Sequence, residues 1–277
     1  DFVILDVSSR ESAALGGAAH LFNFSGTDTV PALILARKYY NEPMAGFSIP
    51  AAEHFTVTGW GRDNELEAYR HALATLGGQG RVFAVVCDSY DVYHAVDHLW
   101  GCRLREDVEN SGSLVVLRPD SGVPHFMVLK TLELLASRFG TTLNSKGYKV
   151  LKNVRVIHGD SINDQSVDMT LRTITEAGFS VDNIAFGIGG ELLQKVNRDT
   201  QGFAMKCSAV VRAGKWYPVF KDPIDAPGKR SLSGVPTLMR EGGQYSTIDT
   251  LSAAGGWRNT GGEALETVYA NGPIYRY

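Results

Sequence analysis

The chain is poor in cysteine: Cys87, Cys102 and Cys207 lie in separate segments with no C-x-x-C pair. That excludes a disulfide scaffold and a Cys-rich zinc site, and it points to a reducing compartment, the cytoplasm. Apolar runs such as Val82–Cys87 fall far short of the ~20 residues needed to cross a bilayer. Basic charge is not in excess, since 27 Lys and Arg face 30 Asp and Glu for a net charge of -3. A protein held to nucleic acid through phosphates would carry a basic surplus, so that class is set aside. There is no Gly-Lys-Ser/Thr P-loop, no G-x-S-x-G elbow and no H-E-x-x-H pair. The opening Asp1-Phe2-Val3 carries neither an initiator Met nor a secretory leader, so the expectation is a portion of a longer protein.

What is present is ordinary globular material: 277 residues, 44% hydrophobic and 21% charged, enough for one large domain or two modest ones. Short apolar runs alternate with glycine-rich turns and amphipathic stretches. Leu66, Tyr69, Leu73 and Leu76 predict a helix that starts near Gly61-Arg62-Asp63-Asn64 and stops at Gly77. Val92, Ala95, Val96 and Leu99 predict a second, ended by Gly101. Pro124 starts a third, with Gly140 as its stop, and Val167, Leu171 and Ile174 mark a fourth, closed by Gly178. Strands are predicted at Leu21–Phe24, Phe47–Ile49, Val82–Cys87, Leu114–Leu117, Val154–Ile157 and Ile184–Phe186. Continuous apolar strands alternating with helices predict an α/β fold with a parallel sheet covered on both faces. Six units favour a closed, TIM-like α/β barrel over an open doubly wound sheet, although periodicity does not separate the two. The barrel is assigned to residues 1–208 and a β-rich, irregular segment to 209–277, with a hairpin around Ala213-Gly214-Lys215.

Chemistry collects where strands end. Ser25-Gly26-Thr27-Asp28, Pro50-Ala51-Ala52-Glu53-His54, Asp88-Ser89-Tyr90-Asp91, Arg118-Pro119-Asp120-Ser121-Gly122, His158-Gly159-Asp160 and Gly187-Ile188-Gly189-Gly190 each follow a predicted strand. In a parallel barrel these ends meet on one face. Gly187-x-Gly189-Gly190 before a helix suits phosphate, or simply a tight turn. Arg118 and Asp120 suit a phosphate and a Mg²⁺ or ribose hydroxyl, or pair with each other. Asp28 and Asp160 suit a metal, a ribose or an amide, or cap helices. His54 follows Glu53, which can orient it, and a metal triad with His158 and an Asp is conceivable without a supporting motif.

Taken together the strings Phe22–Thr29, Pro50–His54, Asp88–Asp91, Arg118–Gly122, Asn144–Lys149 and Phe220–Pro223 resemble the nicotinamide phosphoribosyltransferases, collinearly as far as about Arg230. The resemblance implies a type II phosphoribosyltransferase barrel, working as a cytoplasmic homodimer with sites shared between subunits. It implies transfer of phosphoribose from phosphoribosyl pyrophosphate to nicotinamide, with Mg²⁺ and with ATP as co-substrate. His54 would then accept phosphate, with Asp28 and Asp120 also in the catalytic set. Asp28 would meet the amide; Arg118, Asp120, Gly159 and Asp160 would hold the ribose and its phosphates. Gly189 and Gly190 would cradle the 5′-phosphate, Arg198, Lys206 and Lys221 would neutralise charge, and Phe2 would stack on the pyridine. Which carboxylates take the metal is left open. The chain has no Asp-Asp, the signature of type I enzymes. It departs from the family at Leu5, where an arginine is expected, and in lacking the family's N-terminal region. The rival expectations are a nicotinate-specific enzyme and a catalytically silent dimerisation module.

Overall fold

A computed structural model of the 277-residue chain describes residues 7, 9–193, 205–250 and 263–266. Its frame is a parallel sheet of five strands in the order β1 (Ala51–Ala52), β2 (Val82–Val86), β3 (Leu114–Arg118), β6 (Val154–His158) and β7 (Ile184–Phe186). Register is continuous across it, with Val85 beside Leu117, Leu117 beside Val156 and Val156 beside Ile184. Between β3 and β6 the chain makes a two-stranded excursion, β4 (Thr141–Leu143) with β5 (Lys149–Leu151). Its turn is closed by Asn144 Oδ1, which accepts from the backbone N–H of Lys146 at 3.0 Å and of Tyr148 at 2.9 Å. Among the described residues the sheet is not closed into a barrel; what is established is an α/β fold on a five-stranded parallel sheet.

The helices follow from their apolar spacing. In α4 (Glu65–Leu76) Ala68, Tyr69, Ala72 and Leu73 face inward, and Gly77 caps the end. In α7 (Pro124–Phe139) the buried row Val128, Thr131, Leu132 and Leu135 runs from a proline at the first turn to Gly140. Asn163 caps α8 (Asp164–Glu176) in a reciprocal box with Ser166. These faces meet β2, β3 and β6 in one core containing Phe83, Trp100, Leu117 and Val156.

Three expectations need correction. Leu21–Phe24 is not a strand: Leu21 closes α1 (Arg10–Leu21), and Phe22–Phe24 forms the turn after it. The apolar residues that look like a strand are the last turn of a helix. Phe47–Ile49 contributes only a single parallel bridge, Gly26 with Phe47. Pro50 has no N–H to donate, although its carbonyl accepts from Ala84 N–H at 2.9 Å, and pairing proper begins at β1. Gly101 does not stop the second helix. After α5 (Val92–His94) the backbone widens into a π-helical stretch, Ala95–Arg103, that passes through Gly101. A further helix, α6 (Arg105–Ser111), then ends at Gly112 with φ +67. The remaining α-helices among the described residues are α2 (Val30–Tyr40), α3 (His54–Thr58) and α9 (Gly190–Leu193).

The C-terminal part is β-rich as far as it is described. β8 (Ala209–Arg212) and β9 (Lys215–Pro218) form the predicted hairpin; β10 (Pro236–Glu241) pairs antiparallel with β11 (Gln244–Asp249). This part is anchored to the sheet: Asp222 and Ile224 N–H donate to the carbonyls of Ser89 and Tyr90, at 3.2 and 3.1 Å.

Candidate active site

Because all five sheet strands run parallel, their C-terminal ends deliver Glu53-His54, Asp88, Arg118-Pro119-Asp120-Ser121, Gly159-Asp160 and Gly187 to one edge. Asp88 is the hub. Its Oδ1 lies 2.9 Å from His54 Nε2, its Oδ2 accepts from Ser121 Oγ at 2.6 Å, and Lys221 Nζ stands 3.5 Å from the same oxygen. The carboxylate is only 1% exposed. Burial opposes its charge, but the hydrogen bond and charge of His54, then Lys221 and Ser121, outweigh that and hold its pKa far below the usual carboxylate range. The strand end thus supplies a permanent anion that fixes the imidazole of His54.

Arg118, also buried, is held bidentately by Glu53, with Nη1–Oε1 at 2.7 Å and Nη2–Oε2 at 2.5 Å. Asp120 Oδ2 stands 3.8 Å from the same guanidinium. Burial favours neutral Glu53, yet Arg118 prevails and lowers its pKa. Glu53 therefore orients Arg118, not His54; Asp88 holds the histidine. The expected local Arg118–Asp120 pair is real but secondary.

The two glycine ends are packed together. A Cβ at Gly187 would stand 2.9 Å from Gly159 Cα, and a Cβ at Gly159 would stand 2.7 Å from Asp120 Oδ1. Bare backbone is thus required between β6 and β7, next to the Asp120 carboxylate. Asp160 caps no helix; it pairs with Lys229, brought in from the C-terminal segment. Asp28, in the loop after α1, accepts from Ser48 Oγ just ahead of β1. Lys206 is exposed. Gly189 and Gly190 lie at the start of α9, while Phe2, Leu5 and Arg198 lie outside the described residues.

The conceived His54–His158–Asp metal triad is not formed. His158 is completely buried, which lowers its pKa, and among the described residues no three His, Cys, Asp or Glu side chains are grouped to hold a metal. The chemistry of Asp120 and Asp160 still fits Mg²⁺, which takes one or two carboxylates and completes its shell from substrate phosphates and water.

Sequence reasoning missed how much Asp88, Ser121 and Glu53 matter; all three sit inside strings already singled out at strand ends. It also missed Glu65, 6% exposed on α4, which accepts from Tyr69 Oη at 2.9 Å. Burial, aided by Asp91 and Asp88 and opposed by Tyr69 and Arg62, raises its pKa to about 7. A raised carboxyl pKa leaves stability intact below the unfolded value and removes it as pH climbs to the folded one. From pH ~4.5 to ~7 the wild type is therefore expected to lose about 3 kcal/mol relative to Glu65→Gln, which stays neutral. Urea midpoints of both proteins across that range measure it, and parallel curves would refute the assignment.

The geometry can bind anionic oxygens on Arg118 and Lys221, hydroxyls on Asp120 and Asp160, and backbone close to the glycines. It also presents a histidine backed by a carboxylate. The sequence is similar to known proteins over almost its whole length. The nicotinate phosphoribosyltransferase family model matches residues 1–271. The chain belongs to that family. A curated relative from Xanthomonas campestris, named nicotinamide phosphoribosyltransferase, is 53% identical over 280 residues, covering 100% of this chain and 59% of the relative. Proteins of the same name from Acinetobacter baylyi and Mycoplasma pneumoniae are each 32% identical; they match 99% and 84% of this chain and 57% and 52% of their own length. The chain therefore spans between half and three fifths of these relatives. No helix among the described residues is long and apolar enough to cross a membrane.

Proposed function

We propose that the chain forms the phosphoribosyl-binding part of a cytoplasmic enzyme that joins nicotinamide to phosphoribosyl pyrophosphate, releasing pyrophosphate and nicotinamide mononucleotide. The observation that carries this reading is the single edge holding Arg118, Asp120, Asp160 and the Gly159–Gly187 contact beside the Asp88–His54 pair. Family membership and the printed names of the three relatives support it. We infer further that the complete protein closes the sheet into a barrel over residues 1–208, with 209–277 as a β-rich addition. It would act as a homodimer with the site shared between subunits.

The chemistry asks for a cationic frame. C1′ of the ribose gains positive charge as pyrophosphate leaves, and the leaving group gains negative charge, so preorganised cations and hydroxyl acceptors lower the barrier. Arg118, fixed by Glu53, binds phosphate oxygens without having to reorganise. Asp120 and Asp160 accept from ribose hydroxyls, and Lys206, Lys221 and Arg198 offset phosphate charge. Gly189 and Gly190 present backbone to the 5′-phosphate, Phe2 stacks on the ring, and Asp28 accepts from the amide N–H₂. Mg²⁺, held by Asp120 or Asp160 together with the pyrophosphate, would neutralise the leaving group. His54, oriented by Asp88, takes the terminal phosphoryl group of ATP in the coupled reaction.

The test is product formation by the complete polypeptide from labelled nicotinamide, phosphoribosyl pyrophosphate and Mg²⁺. Nicotinamide mononucleotide and pyrophosphate are expected in equal amounts, stimulated by ATP in the wild type and not in His54→Ala. Absence of product would refute the reading. Acid-labile phosphate remaining on His54→Ala would refute the role of His54 alone.

A further inference from the structure

His20 stands apart from the residues assigned above, yet it is built into the loop that carries Asp28. It lies in the last turn of α1, 6% exposed, with its ring stacked on Phe24 at 4.6 Å and 9°. Its Nε2 is 3.1 Å from the Gly26 carbonyl. A carbonyl only accepts, so Nε2 carries the hydrogen and donates it. Nδ1 is buried and has no hydrogen-bond partner among the described residues.

Gly26 is also where this loop joins the segment leading to β1. Thr27 N–H donates to Phe47 O and Phe47 N–H donates to Ser25 O, both at 2.8 Å. That register places Ser48 against Asp28, whose Oδ1 accepts from Ser48 Oγ. The base of the loop is equally constrained. A Cβ on Gly17 of α1 would meet Ala32 Cβ at 2.8 Å and Thr29 Cγ2 at 3.0 Å, so α1 and the start of α2 are in backbone-close contact. Imidazole, bridge and helix contact leave Asp28 little freedom.

We propose that His20 is a positioning residue for base recognition: by donating to Gly26 O while stacked on Phe24, it sets the loop geometry in which Asp28 presents its carboxylate. This rests on the reading that Asp28 meets the amide of nicotinamide. A buried imidazole is suited to the task because one nitrogen donates and the flat ring packs, and burial keeps it neutral.

The test compares His20→Phe, which keeps the stack and loses the donor, with His20→Gln, which regains an N–H donor, in the complete polypeptide. His20→Phe is expected to raise KM for nicotinamide about 10-fold, as loss of one buried hydrogen bond predicts. KM for phosphoribosyl pyrophosphate should stay unchanged, and the preference for nicotinamide over nicotinate should shrink. His20→Gln should restore part of both. In an Asp28→Asn background the His20→Phe change should have no further effect on preference, because its route to the base is gone. A merely structural role would lower the melting temperature without splitting the two KM values, and that outcome overturns the proposal. So does a preference that responds to Asp28→Asn but not to His20→Phe. If Asp28→Asn itself changes nothing, the reading of Asp28 falls and this proposal with it. Should His20→Phe fail to fold, His20→Asn, too short to reach Gly26 O, carries the same expectations.

Discussion

Replacing Asp88 by alanine is expected to cost about 3 kcal/mol of stability, the low end for breaking a buried ion pair. The carboxylate joins four parts of the molecule: its own strand end, His54 at the start of α3, Ser121 after β3, and Lys221 from the C-terminal segment. Removing it leaves the Lys221 ammonium, with its side chain 12% exposed, without the anion it faces, and leaves the imidazole unaligned. Much of the penalty is therefore an uncompensated cation. The double variant Asp88→Ala/Lys221→Met should recover roughly 1 kcal/mol or more by removing that cation too. Acid sensitivity supplies an independent readout. A depressed carboxyl pKa gives stability that is present above the unfolded value and lost as pH falls below ~4 toward the folded one, so Asp88→Ala should flatten the acid limb of the stability curve. Urea unfolding at neutral and acidic pH measures both. A loss smaller than ~1 kcal/mol would show that this hub is not what ties the strand ends to the tail.

The second large effect concerns choice of base. Nicotinamide and nicotinate differ by an amide against a carboxylate, so the ring stacking proposed for Phe2 would not separate them. In the proposed role Asp28 would gain a charge-assisted hydrogen bond from an amide N–H₂ and repel a carboxylate. Held in place by Ser48 Oγ, it is expected to favour nicotinamide roughly 10- to 1,000-fold. Asp28→Asn removes the repulsion and offers its own N–H₂, so it should narrow or invert that preference. The ratio of kcat/KM for the two bases in wild type and variant decides the matter. An unchanged ratio would remove the physical ground for preferring nicotinamide over the acid that names the family.

The strands Val82–Val86, Leu114–Arg118, Val154–His158 and Ile184–Phe186 were legible because buried parallel strands must be apolar throughout, and such runs are hard to disguise. Helices α4, α7 and α8 were legible from period and punctuation. Helices α1 and α2 were not, because Arg10–Leu21 is rich in Ala and Gly and buries small residues against its neighbour, which weakens the apolar stripe. The π-helical stretch was invisible, since a 3.6-residue period persists in the sequence while the backbone departs from it. At the site, the strings were found but some of the pairings were not. That Glu53 takes Arg118 while Asp88 takes His54 depends on which strands are neighbours, and adjacency in a sheet is not written locally. The Asn144–Lys149 string, one of the most distinctive, turns out to close a hairpin.

The contact between Lys221 and Asp88 bridges 133 positions of sequence. The sheet, by contrast, pairs strands in chain order, joined by helices and, between β3 and β6, by a helix and a short hairpin. Entropy charges for the ends a chain must bring together, slowly but without exemption as the loop lengthens. The sheet pairings, which close smaller loops than the Lys221–Asp88 contact, are therefore favoured to assemble before the tail docks onto their edge. Until it docks, Asp88 lacks one cation and Asp160 another. Completion of the binding edge thus reports on the tail as well as on the sheet: both lysines reach their carboxylates only once the tail has docked.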